Sequence, residues 1–349
     1  MAAPWGLSAT GTLESDGARL SFERPVERGL VHRRAVAEVF VTDFLPLGAD
    51  EYAVAVQLPR AHALFGDQVP RPGRPPAWDL MLLLECARQA GTVVAHEGLG
   101  VPRGTAFLIG TWDLEIEDPE SAPEAAEGPH GLVIVVRVRQ VRRAGGRVLG
   151  ATLDLEFMAG DHAVAHSMVT ASYLPAVSYA RYRLGRRGSP APTSDAARWH
   201  RAGLAVPGDL VGRLRGENGL LSDGVWADGQ AEALVDVPPS HPTFYDHPLD
   251  HLPAMALLEA ARQAATLALP AGAAAVPRRM SAAFERVVEL DAPTRVVARV
   301  RGADGGSVAG PRVGARFDQL GATACKVDLT FIGAAGDDAA GGGSDRSCG

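Results

Sequence analysis

The sequence predicts an α+β fold built from two tandem repeats, each with one long helix among antiparallel strands. Similar short segments recur in the same order in both halves of the 349-residue chain. Each half also holds one long apolar helical segment, followed by stretches that alternate apolar and polar residues. Such alternation is typical of strands with one solvated face. One helix among many strands indicates antiparallel pairing rather than a doubly wound parallel sheet.

The duplication rests on five pairs of similar segments. LLLECARQA at 82–90 matches ALLEAARQA at 256–264, an offset of 256 − 82 = 174 residues. The other pairs are LPRAHALFGD with VPPSHPTFYD, LEIEDP with VELDAP, VRVR with ARVR, and TLDLEF with KVDLTF. This period is too long for a solenoid, so we expect each repeat to be a complete domain.

Composition changes along the chain suggest the domain limits. We expect repeat 1 over residues 28–175 and repeat 2 over residues 205–335. Residues 1–27 are polar and mixed and are predicted to be a loose N-terminal extension. The Pro/Arg/Gly-rich segment 176–204 is predicted to be a linker, and the Gly/Asp/Ser-rich segment 336–349 a disordered tail.

Each repeat is expected to place short strands before its helix and longer strands after it. Helices are predicted over 79–95 and 253–269, and the second begins at a proline, which suits a first helical turn. Strands are predicted over 38–42, 52–58, 132–141, 148–158 and 164–174 in repeat 1 and over 294–301, 312–318 and 322–332 in repeat 2.

Composition excludes several classes of protein. Apolar residues make up 46% and charged residues 21%, which suits a globular chain, and the net charge of 34 − 41 = −7 argues against nucleic-acid binding. The N-terminus has no signal-peptide pattern, and no apolar run reaches the ~18 residues of a membrane span. Three cysteines without a CxxC pair favour a reducing cytoplasm. No glycine-rich phosphate fingerprint opens a helix, so we expect no nucleotide cofactor.

Both predicted helices carry the polar motif ExxRQ in an otherwise apolar sequence. Its members are Glu85, Arg88 and Gln89 in repeat 1 and Glu259, Arg262 and Gln263 in repeat 2. Positions i, i+3 and i+4 share one helix face, so the three side chains project together. Buried charges are costly unless paired. Two interpretations stay open: a structural network of neutralised Glu and Arg, or a functional site.

A histidine-rich segment, HPTFYDHPLDHLPAM, precedes the second helix. It contains His241, Asp246, His247, Asp250 and His251. We expect Asp250 or His251 to cap the helix, and the free N–H groups of its first turn to face the point where His247 and Glu259 converge. Zinc is an alternative, but H-x5-H-x3-H matches no common zinc pattern, so we predict no metal. Repeat 1 has no histidine in the corresponding VPRPGRPPAWD, which predicts one competent site and one degenerate or substrate-binding site.

These residues resemble a known family. FYDHPLDHLPAMALLEAARQA is similar to the His…Glu…Gln segment of hot-dog dehydratases that act on acyl-carrier thioesters. The closer resemblance is to the AfsA family, the A-factor (γ-butyrolactone) biosynthesis proteins of actinobacteria. The segments that carry it are 31–43, 55–67, 82–110, 206–213 and 246–264. The resemblance extends over most of the chain outside its two ends.

The resemblance implies a double hot-dog, in which a curled antiparallel sheet wraps the long central helix of each repeat. The two repeats would form an intrachain pseudo-dimer, replacing the dimer of single-domain relatives. The family activity is transfer of a β-ketoacyl group from a carrier-protein or CoA thioester to the hydroxyl of dihydroxyacetone phosphate. The product is the precursor of a γ-butyrolactone or butenolide signalling molecule. The expected partners are therefore the β-ketoacyl carrier protein or acyl-CoA and dihydroxyacetone phosphate, with no cofactor.

Acyl transfer to an alcohol needs a base, donors for the thioester oxyanion and cations for the phosphate. We expect Glu259 to be the base, with a pKa raised by burial, and the N-terminal amides of the second helix to bind the oxyanion. Arg262 is expected to bind the phosphate or to hold Glu259. Glu85 and His247 are the other catalytic candidates. The predicted substrate-binding residues are Arg88, Gln263, Gln89, Asp246 and His251.

Two other functions are compatible with the sequence. A dehydratase or thioesterase acting on acyl thioesters would release water or free acid without needing a phosphorylated triose. A non-catalytic acyl- or lactone-binding regulator would need only a buried ligand pocket. The presence of ExxRQ in both repeats argues against the regulator, because burial of a ligand does not require it.

Overall fold

A computed structural model describes residues 6–7, 12–15, 18–69, 77–122, 130–196, 203–270, 276–301 and 310–332. The α-helices are α1 (Leu80–Val93), α2 (Ala176–Arg187) and α3 (Ala254–Ala268). The first strands are β1 (Gly6–Leu7), β2 (Thr12–Ser15), β3 (Ala18–Ser21), β4 (Val41–Pro46), β5 (Glu51–Leu58), β6 (Ala106–Ile116), β7 (His130–Ala144), β8 (Arg147–Ala159) and β9 (His162–Leu174). The others are β10 (Leu221–Ala227), β11 (Gln230–Val235), β12 (Pro277–Phe284), β13 (Arg295–Arg301), β14 (Arg312–Gln319) and β15 (Ala322–Phe331).

One antiparallel sheet runs through both repeats. Its strand order is β10-β11-β13-β14-β15-β12-β6-β9-β8-β7-β5-β4. The halves join where β6 pairs with β12, with Trp112 opposite Ala282. Neither β6 nor β12 was among the predicted strands, and nor were β10 and β11, whereas every predicted strand after the two helices is present. The predicted α+β class, with one long helix among antiparallel strands in each repeat, agrees with this architecture.

Helices α1 and α3 are buried and contact each other across the repeats. Arg88 is the one residue of α1 that is not buried. Asp79 caps α1, since its carboxylate accepts from the N–H groups of Met81 and Leu82. The prediction that Asp250 or His251 caps α3 is wrong, because Pro253 is the N-cap and no side chain fills that role.

The predicted linker at 176–204 contains helix α2. Arg183 anchors it to repeat 2 by donating to the carboxylates of Asp250 and Glu289, and Arg187 also pairs with Glu289. Two arginines of the predicted linker therefore hold an ordered helix in place. No helix in the described part of the chain is long and apolar enough to cross a membrane.

The structure describes part of the N-terminal segment but not the C-terminal one. The predicted loose extension at 1–27 contains β1, β2 and β3, which form a small antiparallel sheet. The predicted disordered tail at 336–349 lies outside the described residues.

Candidate active site

In repeat 1, the polar motif of α1 forms a cluster with two arginines on one carboxylate. Arg88 donates to the two carboxylate oxygens of Glu85 at 2.9 and 2.7 Å. Arg33, from the segment before β4, lies 2.7 Å from Glu85 through its Nη2. Arg88 also donates to the backbone carbonyl of Val31 at 3.0 Å. The cluster thus carries two guanidinium charges and one carboxylate charge.

Repeat 2 contains the same arrangement. Arg262 donates to the carboxylate of Glu259 at 2.9 and 2.7 Å, and to the Val211 carbonyl at 2.9 Å. Arg213, from the segment before β10, contacts the same carboxylate at 2.9 Å. Val211 and Arg213 are therefore the counterparts of Val31 and Arg33, and the residue between them is Gly212 where repeat 1 has His32.

The electrostatics of Glu259 argue against its predicted role as the base. Burial would raise the pKa of this fully buried carboxyl, but the adjacent Arg213 and Arg262 outweigh that effect and hold the pKa well below its usual range. Likewise, burial of Glu85 is outweighed by Arg33 and Arg88, and its pKa falls from 4.5 to about 2. The prediction of a raised pKa at Glu259 is wrong, because a carboxylate paired with two guanidiniums is a poor proton acceptor.

Each cluster is completed from the other repeat. Arg33 donates to the backbone carbonyl of Thr243 at 2.7 Å, and Arg213 donates to that of Leu64 at 2.6 Å. Asp246, predicted to bind substrate, accepts from the backbone N–H groups at residues 34 and 35. Its side chain is 1% exposed, and these bonds join the two repeats.

A cavity of about 780 Å³ opens beside the repeat 1 cluster. One part of its wall is polar and includes His32, Arg33, Arg88, His247 and His251. Another part is apolar and includes Phe107, Ile109, Trp112, Val169, Leu252, Met255 and Phe284. The first turn of α3, at Pro253 and Ala254, also lines it. The cavity is therefore built from both repeats.

His247 lies at the repeat 1 cluster, although it belongs to repeat 2. Burial lowers the pKa of His247, and the charges of Arg33 and Arg88 act in the same direction. Glu259 does not line the cavity. The predicted convergence of His247 with Glu259 is therefore wrong: the histidine-rich segment of repeat 2 faces the helix of repeat 1, because the two repeats exchange these segments across their interface.

A pair of histidines, which sequence reasoning did not select, completes the polar wall. His32 adopts left-handed backbone geometry with φ of 53°. Its Nε2 lies 2.9 Å from the Nε2 of His96, which follows α1 in a π-helical turn. The Nδ1 of His96 is 2.7 Å from the Val101 carbonyl oxygen. One sequence signal was available: aligned on the helices, repeat 2 has Pro270 in place of His96 (96 + 174 = 270) and has Gly212 in place of His32.

Comparison with known proteins identifies the family. A model of the A-factor biosynthesis hot-dog domain, AfsA, matches residues 16–175 and 194–331. A 2-oxo-3-(phosphooxy)propyl 3-oxoalkanoate synthase of Streptomyces virginiae is 34% identical over 275 residues, covering 77% of this chain and 85% of that protein. A protein of the same name from Streptomyces coelicolor is 32% identical over 280 residues, covering 79% and 82%. Another, from Streptomyces griseus, is 32% identical over 287 residues, covering 80% and 87%.

The chain belongs to the AfsA family. The family match falls on two segments, one in each repeat, and this confirms the double hot-dog fold expected from the sequence. Each half supplies a central helix and a share of the common antiparallel sheet.

Within this AfsA-family fold, two predicted substrate-binding residues have no access to the cavity. Gln89 and Gln263 are fully buried. Gln89 donates to Glu85 and to the backbone carbonyl of Glu38, and it accepts from the backbone N–H of Phe40. Gln263 makes the equivalent contacts in repeat 2. Both amides tie a helix to the preceding backbone, which corrects the prediction that they bind substrate.

The remaining predicted residues divide between the two clusters. Arg88 and His251 line the cavity, and His251 also lies 2.7 Å from Asp250 through its Nδ1. Arg262 holds Glu259, which was one of its two expected roles, and it does not line the cavity. Within the described residues, no group of three or more His, Cys, Asp or Glu side chains could hold a metal ion.

Proposed function

We propose that this protein is an acyltransferase that moves a β-ketoacyl group from a carrier-protein or CoA thioester to the hydroxyl of dihydroxyacetone phosphate. The product would be the precursor of a γ-butyrolactone or butenolide signalling molecule. The name of the relatives describes such an ester, a 3-oxoalkanoate of a phosphorylated three-carbon ketone. We place the reaction in the cytoplasm, as the sequence suggested. The observation that carries the proposal is a cavity that has Arg33 and Arg88 on a polar wall and has an apolar wall as well.

The arginines of the polar wall suit the phosphate. Arg33 and Arg88 share the carboxylate of Glu85, and the nearby carboxylates of Glu38 and Asp246 also act on Arg33. Arg33 spends its donors on Glu85 and the Thr243 carbonyl, whereas no hydrogen bond within the described residues occupies Nη1 of Arg88. A guanidinium with a free donor edge binds phosphate oxygens well. We therefore assign the phosphate to Arg88 and give Glu85 the task of orienting both arginines.

The first turn of α3 suits the thioester carbonyl. The first N–H groups of a helix have no partner within the helix, and the helix dipole favours negative charge there. Within the described backbone, the N–H groups of Ala254 and Met255 donate to no carbonyl, while those of Ala256 and Leu257 donate to the carbonyl of Pro253. These two amides at the cavity wall are our candidates for the oxyanion site.

The apolar wall suits the acyl chain. Phe107, Trp112 and Phe284 lie on it with aliphatic side chains from both repeats. Burial of each methylene of an acyl chain contributes about 0.8 kcal/mol to binding. Because both repeats contribute to one cavity, we propose that they act as an intrachain pseudo-dimer with one competent site.

A dehydratase or thioesterase fits this site less well. A dehydratase of the His–Glu type needs a carboxyl that exchanges protons, but Glu85 is held ionised by two arginines and its pKa is lowered to about 2. A guanidinium with a free donor edge, as Arg88 has, also serves a phosphorylated acceptor better than water. We therefore favour transfer to the triose phosphate.

The proposal is tested by incubating the purified protein with a β-ketoacyl thioester and dihydroxyacetone phosphate and identifying products by mass spectrometry. We expect a phosphorylated ester, or the butenolide formed when it cyclises, and much less product with dihydroxyacetone as the acceptor. Carrier-protein and CoA thioesters are supplied in separate reactions to identify the donor. Free acid or dehydrated thioester would contradict transfer, and unchanged substrates with folded protein would favour a binding protein.

A further inference from the structure

His32 has a left-handed backbone conformation, and its counterpart in repeat 2 is a glycine, Gly212. His32 has a φ of 53°, and Gly212 has a φ of 73°. Left-handed backbone is costly for most residues other than glycine, so a bulky side chain at this position needs support from its surroundings. In repeat 1 that support is a ring contact: His32 packs edge-on against Phe107, with centroids 4.8 Å apart.

The hydrogen bonds of His96 define which nitrogen of His32 carries a proton. The Val101 carbonyl can only accept, so Nδ1 of His96 is the donor. One proton lies between the two Nε2 atoms, which are 2.9 Å apart. A buried imidazolium is costly, and His96 is 7% exposed, so we assign that proton to His32 and leave both rings uncharged. His32 then has a lone pair on Nδ1, and within the described residues no group donates to it.

We propose that His32 is the general base that takes the proton from the acceptor hydroxyl, and that His96 is the positioning residue that fixes its tautomer and orientation. This inference rests on the proposed function. It stands on geometry: His32 lines the same cavity wall as Arg33 and Arg88, and a rigid chain of two hydrogen bonds connects it to the backbone.

The proton transfer balances without any other reactant. The hydroxyl proton moves to Nδ1 of His32 as the oxygen forms a bond to the thioester carbonyl carbon. The tetrahedral intermediate then collapses, the C–S bond breaks, and the departing sulfur takes the proton back from Nδ1. The ester and the free thiol leave His32 uncharged, as it began.

The electrostatics of the site couple this base to its substrate. Burial lowers the pKa of His32 to about 3, and the positive charge of Arg88 acts in the same direction. Without substrate, His32 is therefore uncharged and only a weak base. A phosphate dianion on Arg88 would offset the effect of that guanidinium. His32 would then become more basic when the phosphorylated acceptor is bound, which favours transfer to this acceptor over water.

His247 is the other imidazole on the cavity wall that could act as the base, and its orientation is less well fixed by hydrogen bonds. Its Nδ1 lies 3.4 Å from a carboxylate oxygen of Asp246, at the far limit of a hydrogen bond. That carboxylate already accepts from two backbone N–H groups. His32 is therefore the better oriented of the two.

The test compares His32→Asn with His247→Asn, using the phosphorylated ester as the readout. Asparagine tolerates left-handed backbone, so His32→Asn removes the base without adding strain. We expect kcat to fall by roughly 10²–10⁴-fold with little change in KM for dihydroxyacetone phosphate, as is usual when a general base is lost. The control His162→Asn, on an exposed side chain at the first residue of β9, should leave both constants unchanged.

Variants at His96 separate positioning from packing. Glutamine can accept from His32 and donate to Val101, so His96→Gln should recover most of the kcat that His96→Leu loses. If His32→Asn fails to fold, His32→Gly copies repeat 2, and added imidazole should restore its turnover. Wild-type kcat in His32→Asn, or a large loss confined to His247→Asn, would overturn the proposal. Absence of ester from the wild-type protein would overturn the proposed function itself.

Discussion

The two repeats contain the same cluster of one glutamate, two arginines and one glutamine, yet only the cluster of repeat 1 borders the large cavity. Arg88 of repeat 1 has a side chain 21% exposed, compared with 10% for its counterpart Arg262. His32 stands beside the first cluster and Gly212 beside the second. The comparison indicates that the glutamate and glutamine of ExxRQ are structural in both repeats. The exposure of Arg88 to the cavity and the residues beside the motif make the copy in repeat 1 the candidate active site.

Substitution of Glu259 should have the largest effect on the stability of the protein. We expect Glu259→Gln to lower the free energy of unfolding by about 3–5 kcal/mol, because Arg213 and Arg262 would lose the buried carboxylate that they share. Glu85→Gln should cost less, since Arg88 borders the cavity and water can solvate it. Denaturant unfolding of both variants measures the difference. Equal losses, or a stable Glu259→Gln protein without turnover, would contradict a purely structural role for Glu259.

The contribution of Glu85 and Glu259 to stability should also appear in the pH dependence of unfolding of the unmutated protein. The pKa of Glu85 is lowered from 4.5 to about 2, and that of Glu259 is also lowered. A lowered pKa in the folded state contributes stability that is present above the unfolded value, near 4.5, and is lost as pH falls toward the folded value. We expect the denaturation midpoint to fall steeply between about pH 4.5 and 2. In Glu259→Gln this dependence should be shallower, and an unchanged slope would contradict the assignment.

Arg88 and Arg262 should separate activity from stability. Loss of a hydrogen bond to a charged group costs about 1.5–3 kcal/mol, so Arg88→Met should reduce kcat/KM for dihydroxyacetone phosphate by roughly 10–100-fold. Arg262→Met should mainly destabilise the fold, because Arg262 pairs with Glu259 and neither residue lines the cavity. Steady-state kinetics and thermal unfolding of both variants decide this. The exposed Arg147→Met is the control, and similar kinetic losses in all three proteins would contradict the phosphate assignment.

The sequence predicted much of the fold but only part of the site. The repeated segments, the alternation of apolar and polar residues in strands, and the apolar helices are local patterns in the sequence. The structure contains both helices and the strands predicted after them. Which groups meet across the interface is a long-range property: His247 is 162 residues from Glu85 along the chain (247 − 85) and lies at its cluster. Proximity in sequence suggested Glu259 instead. The role of Arg33 was missed because one arginine before a strand is indistinguishable from a solvated one until its partners are known.

His32 and Gly212, each of which lies between a valine and an arginine, offer a finer test of the difference between the repeats. Gly212 has a φ of 73°, and a Cβ added there would lie 3.3 Å from Nη1 of Arg262. We expect Gly212→Ala to cost about 1–2 kcal/mol, from left-handed backbone strain and crowding of the second cluster. His32→Gly in repeat 1 should not destabilise by strain, since glycine accepts this backbone freely. Thermal unfolding measures both. If His32→Gly is as destabilising as Gly212→Ala, then the packing of His32 against Phe107 and its bond to His96 outweigh the strain of its backbone.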